Sequence, residues 1–382
     1  MTRSCTTILK TALTALLFSL TIKGNAQTLK PEKIHIGIVY PISTNGMSAP
    51  ADTNNLSLHL IAGVSAEEKG LAFAGFSNVV RHNLTGIAFS GFSNHIGGKA
   101  EGMLFSGFLN TYKDARGLQF AGFSNIALGH AESAQFAGFL NLAREIKGAQ
   151  FAGFANIAKN TQGIQIAGFT NISKNIQGSQ ISGFANIAED VSGSQIGGFA
   201  NVARKVKGIQ LAAFINVADS SDYPIGIVNI IKNGEKSIGL SIDETQTSLI
   251  SFRSGGKKLY GIIGAGFNLQ NSNDEIYAFE AGLGAHFSIN NSLRLNTELA
   301  TVYMDNFHRG EYTKSSFRLF PALKLGKRIE IFGGPTLNFI STNTGWGETL
   351  IDNYLWKRTS SVNREYFHGL YIGYAGGLHF TF

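Results

Sequence analysis

The chain holds a single cysteine, Cys5, among 382 residues. A disulfide framework, a cysteine-ligated metal and a catalytic thiol in the body of the protein are therefore excluded. Proline is scarce as well: the six residues stand at 31, 41, 50, 224, 321 and 335, so none falls between 51 and 223. Charged residues make up 15% of the chain, against a usual ~25%. Beyond the N-terminus no run of 18 apolar residues occurs, which excludes a helical membrane span there. What is abundant is glycine (46 residues) and phenylalanine (29), within a hydrophobic content of 43% that excludes global disorder. Few charges, many glycines and many aromatics point to extensive β structure and away from a cytosolic α/β enzyme.

Residues 1–26 have the layout of a secretory signal peptide. Arg3 and Lys10 supply the positive end, residues 11–22 the short apolar stretch, and Gly24-Asn25-Ala26 the small residues of a cleavage site. Cys5 precedes the apolar stretch, so it does not occupy a lipoprotein cleavage position. Removal of this segment takes Arg3, Lys10 and Lys23 with it and lowers the formal charge from +7 to +4. The remaining Lys and Arg alternate with Asp and Glu in short turns, a pattern that does not suit nucleic acid.

Residues 70–218 form a tandem array with the unit G-x-Q-F-A-G-F-x-N-I-A followed by four or five polar residues. Asn recurs at 78, 94, 110, 125, 141, 156, 171, 186, 201 and 216, and Phe stands two places before each of them. A period of 15–16 residues means one small structural unit stacked repeatedly, and it is too short for a helical hairpin. Two β architectures compete. In a solenoid each unit is one coil and like residues stack at ~4.8 Å; in a membrane barrel each unit is one strand and a turn. Numbering the unit from its first glycine, an apolar residue recurs at position 14, inside the polar turn (Ile146, Ile176, Val191, Val206). A hairpin tip has no use for it, whereas a coil can direct it inward together with positions 2, 4, 7 and 10. Parallel stacking also aligns Phe on Phe and Asn on Asn, giving aromatic columns and amide ladders. The solenoid is the expected form, with the connectors (Lys159, Lys174, Glu189, Asp190, Arg204, Lys205, Lys207) as a solvated edge.

From about residue 236 the period gives way to long alternating strands, such as Tyr277, Phe279, Ala281, Leu283 and Phe287 against Ala278, Glu280, Gly282, Gly284 and His286. Eight such strands are expected, with tight turns at 254–257, 290–291 and 326–327 and long connections at 305–315 and 341–368. Alternating short and long connections are the habit of outer-membrane barrels. The chain closes Tyr371-Ile372-Gly373-Tyr374-Ala375-Gly376-Gly377-Leu378-His379-Phe380-Thr381-Phe382, which resembles the terminal strand of such barrels.

The fold expected is thus all-β: a β-solenoid of about ten 15–16-residue coils, then a small antiparallel barrel of about eight strands. Its divisions are a signal peptide (1–26), a capping segment (27–69), the repeats (70–235) and the barrel (236–382). The repeat units, ending in Pro224-Ile225-Gly226-Ile227-Val228-Asn229, resemble a family of bacterial exported surface-repeat proteins. That resemblance implies location and architecture, and transfers no functional residue.

No catalytic constellation is present. The nine histidines show no metal spacing, and no Gly-x-Ser-x-Gly elbow, phosphate loop or dinucleotide fingerprint occurs. No catalytic, cofactor-binding or metal-ligating residue is assigned, and no cofactor is expected. The expectation is a non-enzymatic outer-membrane protein, its repeats periplasmic and serving as scaffold or binding surface. Its partners would be outer-membrane lipid and an envelope protein or glycan. The alternative is a single large barrel enclosing a pore; a glycan-acting enzyme is a third, weaker reading. The aromatic loop 341–368 is a candidate contact surface, or else packs on the barrel rim.

Overall fold

A computed structural model describes residues 33–270, 275–307, 310–326, 328–360 and 366–382; residues 1–26, expected from sequence to be a signal peptide, and with them Cys5, lie outside the described residues. The chain forms a parallel β-solenoid of about 12 turns followed by a closed eight-stranded antiparallel barrel.

Each coil of the solenoid is one turn of the repeat. Strand Ala155–Ala167 ends at Gly168 and Phe169, which bend the chain into strand Thr170–Ser182 one layer further on. Pairing is parallel and in register, with Asn156 on Asn171, Gly163 on Gly178 and Gln165 on Gln180. Position 1 is glycine in all units but the one that begins with Ser133, and glycine is favoured for two reasons in a unit such as 163–173. Gly163 has φ +136, and a Cβ there would lie 1.9 Å from the Gly148 carbonyl oxygen. Where a unit has 16 residues the extra one is absorbed at the connector, as in the register shift after Tyr112 and Ala127.

The facing of the side chains is the reverse of the expectation. Positions 2, 4, 7 and 10 point outward, as in Ile164, Ile166, Phe169 and Ile172, and of the expected set only position 14 (Ile176) is buried. The interior is built instead from positions 3, 5, 9 and 11: Gln165, Ala167, Asn171 and Ser173. A 15-residue coil encloses room for five small or medium side chains, and a column of Phe does not fit. Amides fit and satisfy themselves, because each Asn offers an acceptor to one neighbouring coil and a donor to the other. The Asn ladder is unbroken from Asn78 to Asn229, with amide–amide distances of 2.8–3.0 Å. A second ladder joins Gln135, Gln150, Gln165, Gln180, Gln195 and Gln210 at 2.7–3.2 Å.

The core changes composition along the rod. The first three units pair Ala72 with Val80, Ala88 with Ile96 and Leu104 with Tyr112; from Gln119 onward position 3 is Gln and position 11 is Ala or Ser. Tyr112 closes the exchange, its hydroxyl accepting from Gln135 Nε2 at 2.5 Å. At the N-terminal end the stack begins earlier than the repeat does: Ile34–Val39 pairs in parallel with Thr53–Ser65, and that strand with Glu67–Ala74. The short strand Ile42–Ser43 folds back antiparallel on the outermost one.

The barrel strands are Lys236–Asp243, Thr247–Gly255, Leu259–Asn268, Ile276–Ser288, Leu293–Asp305, Tyr312–Leu325, Ile329–Thr342 and Tyr366–Thr381. Each pairs with the next, and the first closes on the last, Ser237 opposite Thr381 and Asp243 opposite Ala375. A ninth strand that the alternation did not reveal, Trp356–Ser360, pairs with the start of the last barrel strand, above the point where the first ends.

Candidate functional site

The barrel lumen is the natural place to look for a channel, and it is full. Arg253 pairs with Glu298 at 2.9 Å, Arg318 with Glu280 at 2.5 Å and with Glu298 at 3.4 Å, and Arg294 with Glu330 at 2.6 Å. Tyr260 donates to Glu298 at 3.0 Å, and Ser251 to Glu280 at 2.5 Å. Lys314 reaches Asp243 further along. Gly284 is what admits the Tyr260 ring, since a Cβ there would lie 2.2 Å from it. The cavity left between Arg253, Lys314, Arg318, Phe320 and Phe332 is about 20 Å³, room for one water. The long-loop end is closed too. Trp346 lies on Tyr312 (centroids 5.6 Å), and Tyr354 packs edge-on against Phe367 and Tyr371. Trp346 and Tyr354 of the aromatic loop thus form a stopper against the barrel, whereas Trp356 is exposed.

Outside, the barrel wall is apolar. Ile238, Ile250, Ile263, Phe279, Leu299 and Phe317 are all exposed, and among the described residues of the eight barrel strands charges point outward only at the rims (Lys236, Asp305), with Lys357 and Arg358 exposed on the added strand Trp356–Ser360.

The solenoid has two opposite edges. On the connector edge a shallow groove of about 890 Å³ runs past Lys99, Arg116, Glu132, Glu145, Lys147 and Gln162. Its charges pair across coils, His130 with Glu145 at 2.8 Å and Lys147 with Glu132 at 3.4 Å, all well exposed. The other edge carries the Phe of position 7. From Phe76 to Phe214 the rings stack at 4.7–5.2 Å in nearly parallel planes. Each remains about 40% exposed along most of the row, for example Phe154 at 41%. A second column, Phe89 to Phe151 continuing as Ile166, Ile181, Ile196 and Leu211, lies beside it.

A buried polar cluster sits in the N-terminal coils. The Nε2 atoms of His35 and His59 are 3.3 Å apart, and Glu68 Oε1 accepts from Ser57 at 2.7 Å and Asn54 at 3.2 Å. Burial pushes His59 down to about 4, with the His35 charge adding to the effect. Burial also lowers His35 and raises Glu68. Among the described residues no group of three His, Cys, Asp or Glu is arranged to hold a metal ion.

No protein-family model, curated protein or solved structure matches the chain. The reading of function therefore rests on its own geometry. The Phe edge and the lumen network were the features that sequence reasoning placed wrongly or missed. The small residues fixed at position 5 (Ala, Ser or Gly in every unit) were the available signal that this position faces a narrow interior.

Proposed function

We propose that the protein is a non-enzymatic outer-membrane protein in which the barrel is the anchor and the solenoid a scaffold or binding domain. One observation carries this reading: an eight-stranded barrel with an apolar outside and a lumen packed with ion pairs suits anchorage in lipid and does not suit conduction. Strands of 8 to 16 residues compare with the ~9–11 needed to cross a bilayer. An even number of strands returns both ends to one face, and the tight turns sit on that face, so the solenoid belongs on the periplasmic side. Its connector edge, with paired charges and amides along a groove, is the surface for an envelope protein or glycan.

The parallel stacking of the repeats leaves the pore reading without a large barrel to enclose a channel. Cell fractionation tests the proposal. The protein is expected in the outer-membrane fraction after a carbonate wash, and the purified protein is expected to give no current in planar bilayers. Release by carbonate overturns the anchor, and stepwise conductance overturns the closed lumen.

A further inference from the structure

An apolar edge running the length of a rod is larger than the few hundred Å² that a soluble surface ordinarily leaves bare. Twelve coils at ~4.8 Å each make it roughly 55 Å long. The segregation is complete: the eleven-residue segments 70–80, 86–96, 102–112, 117–127, 133–143, 148–158, 163–173, 178–188, 193–203 and 208–218 contain no Asp, Glu, Lys or Arg. Every charge of the array falls in the connectors on the opposite edge.

The edge also runs into the barrel wall. At the end of the rod, Leu211, Ala213 and Ile227 form one side of a cleft of about 870 Å³ whose other side is Leu283, Leu299 and Phe317 on the barrel exterior. A neighbouring cleft of about 750 Å³ sets Phe214 and Ile227 against Ile238, Ile250 and Ile263. Both sides of each cleft are mainly apolar, and among the described residues no side chain fills it. Contact is direct at the base, where a Cβ on Gly261 would lie 2.1 Å from the carbonyl oxygens of Gly226 and Ile227.

We propose that the Phe edge of the solenoid rests in the surface of the same bilayer that holds the barrel, with acyl chains filling the two clefts. This rests on the barrel reading above. Three observations favour lipid over another occupant: the edge is continuous with the wall that faces lipid, its charges are segregated to the far side, and its backbone groups are already paired from coil to coil. A β structure with no unpaired backbone can approach hydrocarbon without the cost that excludes open sheets. Burial of an apolar face with a polar face left in water is how interfacial elements bind. The solenoid is then a ridge along the membrane that turns its connector groove away from it.

Site-directed spin labelling tests this on the full chain in phospholipid vesicles. In a Cys5→Ser background the sequence has no other cysteine. Single cysteines replace Phe154 and Phe184 on the edge, Lys159 and Lys174 on the connectors, and Phe317 on the barrel wall. Collision rates with oxygen, which partitions into lipid, and with a water-soluble nickel chelate are measured for each, and circular dichroism confirms that each variant keeps its β content. The expected result is an oxygen-to-nickel ratio several-fold higher at Phe154, Phe184 and Phe317 than at Lys159 and Lys174. A high ratio at Phe317 with nickel access at Phe154 and Phe184 overturns the inference and leaves the barrel anchored. Nickel access at Phe317 overturns the barrel reading itself. Protection of Phe154 from both reagents, with a doubled mass, identifies a second copy as the occupant and overturns the inference.

Discussion

Ser254 receives the last rung of the amide ladder: its carbonyl oxygen accepts from the Asn229 side chain at 3.2 Å and its hydroxyl from the Asn229 backbone N–H at 2.9 Å. The ladder that orders the solenoid therefore ends on a barrel hairpin, and the hairpin is the solenoid's cap. Open coil ends need such a cover. Asn229→Ala leaves the Asn216 amide and the Ser254 carbonyl without these partners, at a cost of about 1–3 kcal/mol per buried group. Urea unfolding followed by tryptophan fluorescence, which reports the barrel through Trp346 and Trp356, and by circular dichroism, which reports both parts, is expected to give coincident transitions for the native chain. The variant is expected to split them.

Within the ladder, aspartate is expected to be worse than alanine. The Asn171 amide nitrogen donates to the Gln165 carbonyl at 3.2 Å, the Ile181 carbonyl at 2.7 Å and Asn186 Oδ1 at 3.0 Å. Asn171→Ala removes these bonds, costing about 1–3 kcal/mol for each group left unsatisfied. Asn171→Asp replaces the donor with an acceptor facing three oxygens and buries a charge. Its melting temperature at pH 7 is expected to fall below that of the alanine variant and to recover partly at acid pH, as the carboxyl takes up a proton. Scanning calorimetry of the two variants checks the order.

Glycine at position 1 answers a backbone requirement that an open position such as Gly345 does not have. Gly163→Ala meets both a positive φ and the Gly148 carbonyl oxygen, and is expected to cost more than the ~1 kcal/mol by which glycine and alanine ordinarily differ. Gly345→Ala, with nothing within 4 Å of its Cβ at the start of the short helix Gly345–Thr349, is expected to be neutral or slightly stabilising. Denaturation midpoints of the two variants separate the cases.

The N-terminal coils are expected to loosen in mild acid. His59 is lowered from 6.5 to about 4, so the unfolded segment binds more protons than the folded one between those values. Its contribution is complete above about pH 6.5 and is lost as pH falls towards 4. His35, also lowered by burial, acts with it. Asp52, held down by its hydrogen bonds to Lys33 and Ser48, loses its contribution at lower pH still. Glu68, raised by burial, has the opposite sign: its favourable share is present below its ordinary range and fades as pH rises through its raised value. Hydrogen exchange across residues 34–65 is expected to quicken between pH 7 and pH 5 relative to residues 140–200, after correction for the intrinsic rate. His59→Gln is expected to flatten that difference.

Much of this architecture was legible because it is periodic. The spacing of Asn from 78 to 216 specifies a stack, and the change to two-residue alternation after 236 specifies the barrel. The direction of the side chains was not legible, for a physical reason. A strand alternates whichever face is inside, so Ile164 and Gln165 exchange places without altering the pattern, and the usual preference for buried apolar side chains selects the wrong face. The narrowness of a 15-residue coil decides it, and that is a property of the closed turn. The lumen pairs were equally hidden, because Arg253 and Glu298 are 45 residues apart in sequence and meet only through barrel closure. Strand Trp356–Ser360 escaped notice because nearly all its residues are exposed, which leaves no alternation to read.

The most direct measurement is gel migration of the full chain after refolding into phospholipid vesicles, loaded unheated and boiled. A closed barrel anchored in the bilayer stays folded in dodecyl sulfate until heated, so the account predicts two bands that converge on boiling, with the unheated protein floating with the vesicles. A single unheated band at the boiled position, from protein that leaves the vesicles on flotation, would contradict it.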